Sequence, residues 1–252
     1  NRGATMLKRT ISFAVALVLS AGLYAQDKSN IGRVSFLQPK AGETDKFLAG
    51  VKEHTDKYHK KDGHKIRTYR IASGPKTGWF VRYSQGYTWA DLDKYTESDA
   101  HVAHAAKTVS PYVGENIGPM YWAYLEDLSY NPDTSGKPSK MVRVNFTHVN
   151  PLMDGDYIEL RRQLKEAHEK TNSDDSFGVY QLVHGGKMHT YAQGFPMNSW
   201  SEVPTSGGAQ QGSIVNEVFG ERAWGQFMSK GRKIIYKRND EMWIYMKDYS
   251  TR

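Results

Sequence analysis

Glu97, His101 and His104 fall at i, i+4 and i+7, so a helix through this segment puts one carboxylate and two imidazoles on a single stripe. Such a set could bind a divalent metal, or supply one haem ligand together with the group that orients it. The second half of the chain has nothing equivalent, and the surrounding alanines also suit an ordinary packed helix. His54, His59 and His64 recur every fifth residue, which rotates each away from the last on a helix and predicts solvated side chains. His184 and His189 flank Gly185-Gly186-Lys187-Met188 and read as turn and edge residues. Gly-x-Ser-x-Gly, His-Glu-x-x-His and a glycine-rich phosphate loop with its lysine are missing. Cysteine is absent, which removes thiolate chemistry, disulfides and a lipid-anchored cysteine.

The elements that must carry these residues occur twice. Gly32-Arg33-Val34-Ser35-Phe36 is echoed by Val142-Arg143-Val144-Asn145-Phe146, and Tyr83-Ser84-Gln85-Gly86 by Tyr191-Ala192-Gln193-Gly194. Thr88-Trp89-Ala90-Asp91-Leu92 is echoed by Ser199-Trp200-Ser201-Glu202-Val203, and Trp122-Ala123-Tyr124 by Trp243-Ile244-Tyr245. The matches keep their order, as a duplication requires. Between the copies, residues 131–139 are rich in Pro, Gly and small polar side chains and form a linker. Hydrophobic periodicity predicts strands over 32–38, 65–73, 78–85 and 119–128, with a helix from 43 to 61 and short helical pieces from 89 to about 113. The second copy repeats this with strands at 141–148, 177–184, 187–193 and 241–249 and helices at 154–171 and 213–230. Each copy is therefore β-α-β-β-α-β, an α+β ferredoxin-like unit, over 26–130 and 140–252.

One ferredoxin-like sheet is covered by helices on one face only, and a second copy is the obvious cover for the other. On the repeated element order and the matched strand motifs, the chain resembles the dimeric α/β-barrel superfamily, in which two such units close sheet to sheet into a pseudo-dimeric barrel. The resemblance implies a cavity between the sheets, used in its members for haem binding, cofactor-free oxygenation or small-molecule binding. Val34 and Phe36, like Val144 and Phe146, share a face that suits the helices, so alternation sends Arg33, Ser35, Arg143 and Asn145 into the barrel. An inward pair of arginines calls for an anionic ligand or internal carboxylates, unless the side chains reach water at the barrel ends. Tyr69 and Tyr83, with Tyr180 and Tyr191, would line the cavity for a flat organic ligand. Trp89 and Trp200 read as shared packing.

A small-molecule binding protein is thus the leading expectation. A haem-dependent or cofactor-free oxygenase or peroxidase is the alternative, and a module with a filled barrel the third. Lys8 and Arg9 followed by the apolar run Ile11–Leu19 and Leu23-Tyr24-Ala25 read as a signal peptide ending at residue 25, after five upstream residues before Met6. Export to the periplasm or exterior is expected, with no transmembrane span afterwards, because the run is shorter than the ~20 residues a span needs. Removing residues 1–25 lowers the formal charge from +7 to +4. The basic residues are scattered, which argues against a nucleic-acid partner.

Overall fold

The computed structural model describes residues 28–59, 65–133, 135–204 and 208–251. The signal expected over residues 1–25 and His64 lie outside the described residues. The first half runs β1 (Ile31–Pro39), α1 (Thr44–Tyr58), β2 (Arg67–Ser73), β3 (Phe80–Tyr87), α2 (Trp89–Lys94), α3 (Asp99–Thr108) and β4 (Val113–Tyr124). The second runs β5 (Met141–Val149), α4 (Asp154–Thr171), β6 (Gly178–His184), β7 (Thr190–Met197), α5 (Ala209–Phe219), α6 (Ala223–Ile234) and β8 (Ile235–Tyr245). The single helix expected over 213–230 is two, broken at Gly220, whose φ of +100° no helix accommodates. No helix among the described residues is long and apolar enough to cross a membrane.

The strands close into one barrel in the order β1-β3-β2-β8-β5-β7-β6-β4, and every neighbouring pair is antiparallel. Each half contributes a ferredoxin-like sheet, β4-β1-β3-β2 and β8-β5-β7-β6. The halves join edge to edge through β2–β8 and β4–β6, so no strand edge is left open to pair with another chain.

The barrel interior holds the largest cluster of buried apolar side chains among the described residues. Val34, Phe36, Val144 and Phe146 point into it, where the Phe36 and Phe146 rings meet each other at 6.3 Å and Trp243 at 5.7 and 6.2 Å. The strand phase expected from alternation is therefore reversed: Arg33, Ser35, Arg143 and Asn145 face outward. The physical reason is desolvation. A guanidinium on the outer face reaches water and a carboxylate past the helices, which the barrel centre would deny it. Arg33 lies 3.6 Å from Glu97 with its guanidinium over the Tyr95 ring, and Arg143 forks onto Asp240 of the neighbouring strand at 2.6 and 2.8 Å.

A second expectation fails by register. Val34 pairs with Tyr83, but the equivalent Val144 pairs with Gly194, so Tyr83 corresponds to Gly194 and not to Tyr191. The odd offset turns Tyr191 outward, where its hydroxyl donates to Asp154 at 2.8 Å and its ring packs on Tyr157 beneath α4. Trp89 and Trp200 are 39% and 58% exposed, so neither is core, although the Trp89 ring still meets Tyr121 at 6.0 Å.

Candidate functional site: an aromatic barrel cavity

One end of the barrel is closed by chemistry rather than by apolar bulk alone. The Lys76 ammonium, from the β2–β3 turn, sits over the Phe36 ring at 4.8 Å and the Phe146 ring at 5.8 Å, and 3.4 Å from the Glu241 carboxylate. Glu241 is 1% exposed and accepts a 2.9 Å bond from Trp243 Nε1. Cation, carboxylate and indole satisfy one another there.

Beyond this plug the barrel holds a cavity of about 1410 Å³, bordered at its mouth by linker residues such as Pro132 and Lys137. A cavity of this size is not what the filled-barrel expectation calls for. Alternation along five strands builds its wall: Tyr69 on β2, Tyr83 on β3, Trp122 and Tyr124 on β4, Tyr180 on β6 and Trp243 on β8. Tyr69 packs on Trp243 and Tyr245, and Tyr124 on Tyr180 at 5.3 Å. Three of the four tyrosines expected at the site are brought together; Tyr191, Arg33, Arg143 and Asn145 are not.

The phenols are donors, not bases. Burial pushes Tyr69 up to about 12 and Tyr83 well above its ordinary value, and it raises Tyr180 as well. Tyr83 Oη donates to Gln85 and meets the Tyr180 hydroxyl. The Arg67 guanidinium, beside Tyr69, anchors to the Gly136 carbonyl at 3.2 Å and supplies positive charge at the mouth. Two polar atoms of cavity residues have no hydrogen-bond partner among the described residues although both are buried: Trp122 Nε1 and Tyr124 Oη. Leaving such a donor unsatisfied costs about 1–3 kcal/mol, and because almost none of either atom is accessible, its side chain must turn to meet an acceptor in the cavity. Trp122, Tyr124 and Arg67 were not singled out from sequence as site residues. Their signal was present in the repeated Trp-x-Tyr at 122/124 and 243/245, since a spacing of two places both rings on one face of a strand.

Glu97, His101 and His104 do not form the expected triad. Glu97 precedes α3, whose N-cap is Ser98, and turns to Arg33 and Tyr95. His101 and His104 face α1 instead, where they meet His54: His101 Nε2 lies 2.8 Å from His54 Nε2, and His104 Nδ1 lies 3.1 Å from His54 Nδ1. His59, at the end of α1, completes the group, and both His54 and His59 are buried rather than solvated. Burial lowers His54 to about 4, with His101 and Arg82 adding to the effect; burial and then Arg82 lower His59 to about 3. Both are neutral imidazoles near pH 7.

Haem, one of the groups implied by the resemblance, fits neither place. Among the described residues the cavity wall has no histidine, cysteine or methionine, and burial holds Tyr69, Tyr83 and Tyr180 protonated, so none of these side chains is ready to bind iron axially. In the histidine group His54 stacks on His101 and His104 at 4.6 and 5.4 Å, which leaves no slot for a porphyrin.

No family model matches the chain, and no curated protein matches it significantly. Solved structures do resemble it. An anthrone oxidase-like protein matches with TM-score 0.54 and 9% identity over 88% of this chain and 93% of its own. A mutant chlorite dismutase of Candidatus Nitrospira defluvii gives the same figures. A protein of Lactobacillus acidophilus described as a monooxygenase matches with TM-score 0.50 and 7% identity over 89% and 96%. At such identities the likeness is one of fold. Barrel closure, strand order and neighbours agree on it: the chain has the dimeric α/β-barrel fold, with both ferredoxin-like units in one polypeptide.

Proposed function

We propose that this protein is an oxygenase acting on a flat aromatic small molecule, with the reaction confined to the barrel cavity. The observation that carries this reading is the pair of unsatisfied buried donors, Trp122 Nε1 and Tyr124 Oη, on an aromatic wall. They suit a carbonyl or phenol oxygen on a fused-ring ligand, and the cavity has room for one. Donors turned to that oxygen stabilise the enolate formed when the ring methylene conjugated with the carbonyl loses its proton to water at the open mouth. The electron-rich carbon can then be attacked by dioxygen, so that CH₂ and O₂ become C=O and H₂O; the substrate supplies all four electrons. The neighbours described as monooxygenase and anthrone oxidase-like support this reaction class over passive transport. Export of the mature chain from Gln26 is proposed alongside it, on Lys8, Arg9 and the apolar run after them.

The test uses anthrone as the probe. Wild-type protein should show saturable quenching of tryptophan emission and anthrone-dependent oxygen uptake. Trp122→Phe and Tyr124→Phe should each weaken binding by about tenfold, the worth of one buried hydrogen bond. Saturable binding without oxygen uptake would reduce the protein to a binder, and no saturable binding would remove the reading altogether.

A further inference from the structure

On the outer face of the first unit, away from the cavity, α1 and α3 bring four histidines together. We propose that His54, His59 and His101 form a binding site for a single divalent transition-metal ion, Zn²⁺ being the best suited, with His104 and Glu53 orienting the ligands from behind.

The geometry is that of a site relaxed around a hydrogen. One ring nitrogen from each of His54, His59 and His101 lies within 4.8 Å of those from the other two. Tetrahedral zinc with Zn–N bonds of about 2.0–2.1 Å places its nitrogens about 3.3 Å apart. His54 Nε2 and His101 Nε2 are 2.8 Å apart, a hydrogen-bond distance, so one of them carries a proton toward the other. Opening that contact by about half an ångström, with His59 turning in from within 4.8 Å and His101 taking its other tautomer, exchanges the hydrogen for a metal ion.

The far nitrogen of His54 is already arranged as a metal-binding histidine requires. His54 Nδ1 meets His104 Nδ1 at 3.1 Å, and His104 Nε2 meets Glu53 Oε1 at 3.1 Å. Hydrogens running from His54 to His104 and from His104 to Glu53 satisfy both contacts, leaving the lone pair of His54 Nε2 facing His101. Outer groups of this kind fix the tautomer and raise the basicity of a ligating imidazole. Tyr58 stacks on the His101 ring at 4.8 Å and holds its plane. Three imidazoles leave a fourth position for water, the arrangement of reactive rather than purely structural zinc sites. Two cations face the group from the strands beneath it. Arg82 is held by Thr55, Thr68 and the Tyr249 carbonyl, and Arg33 by Glu97. They weaken the site without blocking it, and the Glu53 and Glu97 carboxylates offset them.

Chelator-treated full-length protein titrated with Zn²⁺ should bind one equivalent by native mass spectrometry. Co²⁺ should give the intense visible bands of a four-coordinate ion. His54→Gln, His59→Gln and His101→Gln, each checked for native circular dichroism, should abolish stoichiometric binding. His104→Gln should weaken it by about 10- to 100-fold. Wild-type protein that takes up less than one equivalent, a six-coordinate Co²⁺ spectrum, or a folded ligand variant with wild-type affinity would each overturn the proposal. Because the wild-type spectrum stands alone, a variant that fails to fold does not shield it.

Discussion

Gly50 is where α1 and α3 approach most closely, and replacing it with alanine tests how the histidine-bearing helices are held. A Cβ at Gly50 would lie 1.8 Å from the Thr108 carbonyl oxygen and 2.7 Å from its carbon. Both atoms belong to the backbone at the end of α3, so no side-chain rotation can relieve the clash. Alanine gains about 1 kcal/mol over glycine in a helix interior from propensity alone. Against this, forcing two packed helices apart costs as overpacking does, about 1–3 kcal/mol and more where backbone must move. With the clash well inside any real contact distance the cost wins, and a net loss of about 2 kcal/mol is expected. For a domain of this size that lowers Tm by about 4–8 °C. The same displacement separates His54 from His101, so Zn²⁺ affinity should fall in the same variant. Differential scanning calorimetry of Gly50→Ala decides the matter: an unchanged or raised Tm would refute the reasoning, since propensity would then outweigh a contact that does not exist.

Acid should destabilise the fold through the same helices. His54 and His59 have folded values below their unfolded 6.5, so the unfolded chain binds more protons, and the stability they contribute is complete above pH 6.5 and lost as pH falls toward about 4 and then 3. For His54 this is on the order of 2 kcal/mol after allowing for partial solvent contact, and urea midpoints of wild type and His54→Gln between pH 7.5 and 4.5 should converge at the acid end. Lys76→Met strands the buried Glu241 carboxylate and should cost about 3–5 kcal/mol in urea unfolding, with Lys76→Met/Glu241→Leu recovering much of it. Arg143→Met removes only a partly exposed pair on the outer face, so it should cost under about 1 kcal/mol and leave anthrone binding unchanged, contrary to an inward arginine.

The fold was legible because duplication and periodicity are properties of the chain itself. The β-α-β-β-α-β order and the Val-x-Phe and Trp-x-Tyr repeats needed no tertiary information, and Trp122 and Trp243 do occupy equivalent places, opposite Gly32 and Val142. The site was less legible for two reasons. Alternation separates two faces of a strand without saying which lies inside, and in a barrel wrapped by helices both faces are covered; Arg33 and Arg143 sit on the face that alternation alone leaves open. A strand match that looks convincing, Tyr83 with Tyr191, is off by three residues in the true register, and an odd slip exchanges the faces. The histidines failed differently. His54 and His101 are 47 residues apart, and only the packing of α1 against α3, which Gly50 permits, makes them neighbours.

The central claim is that the cavity binds an aromatic oxygen through Trp122 and Tyr124. A crystal structure of the protein with anthrone measures it directly. The ligand oxygen should lie within about 3.2 Å of both Trp122 Nε1 and Tyr124 Oη, with its rings between the tyrosines of β2, β3 and β6. Anthrone seated elsewhere, or in the cavity with its oxygen turned away from both donors, would contradict the account.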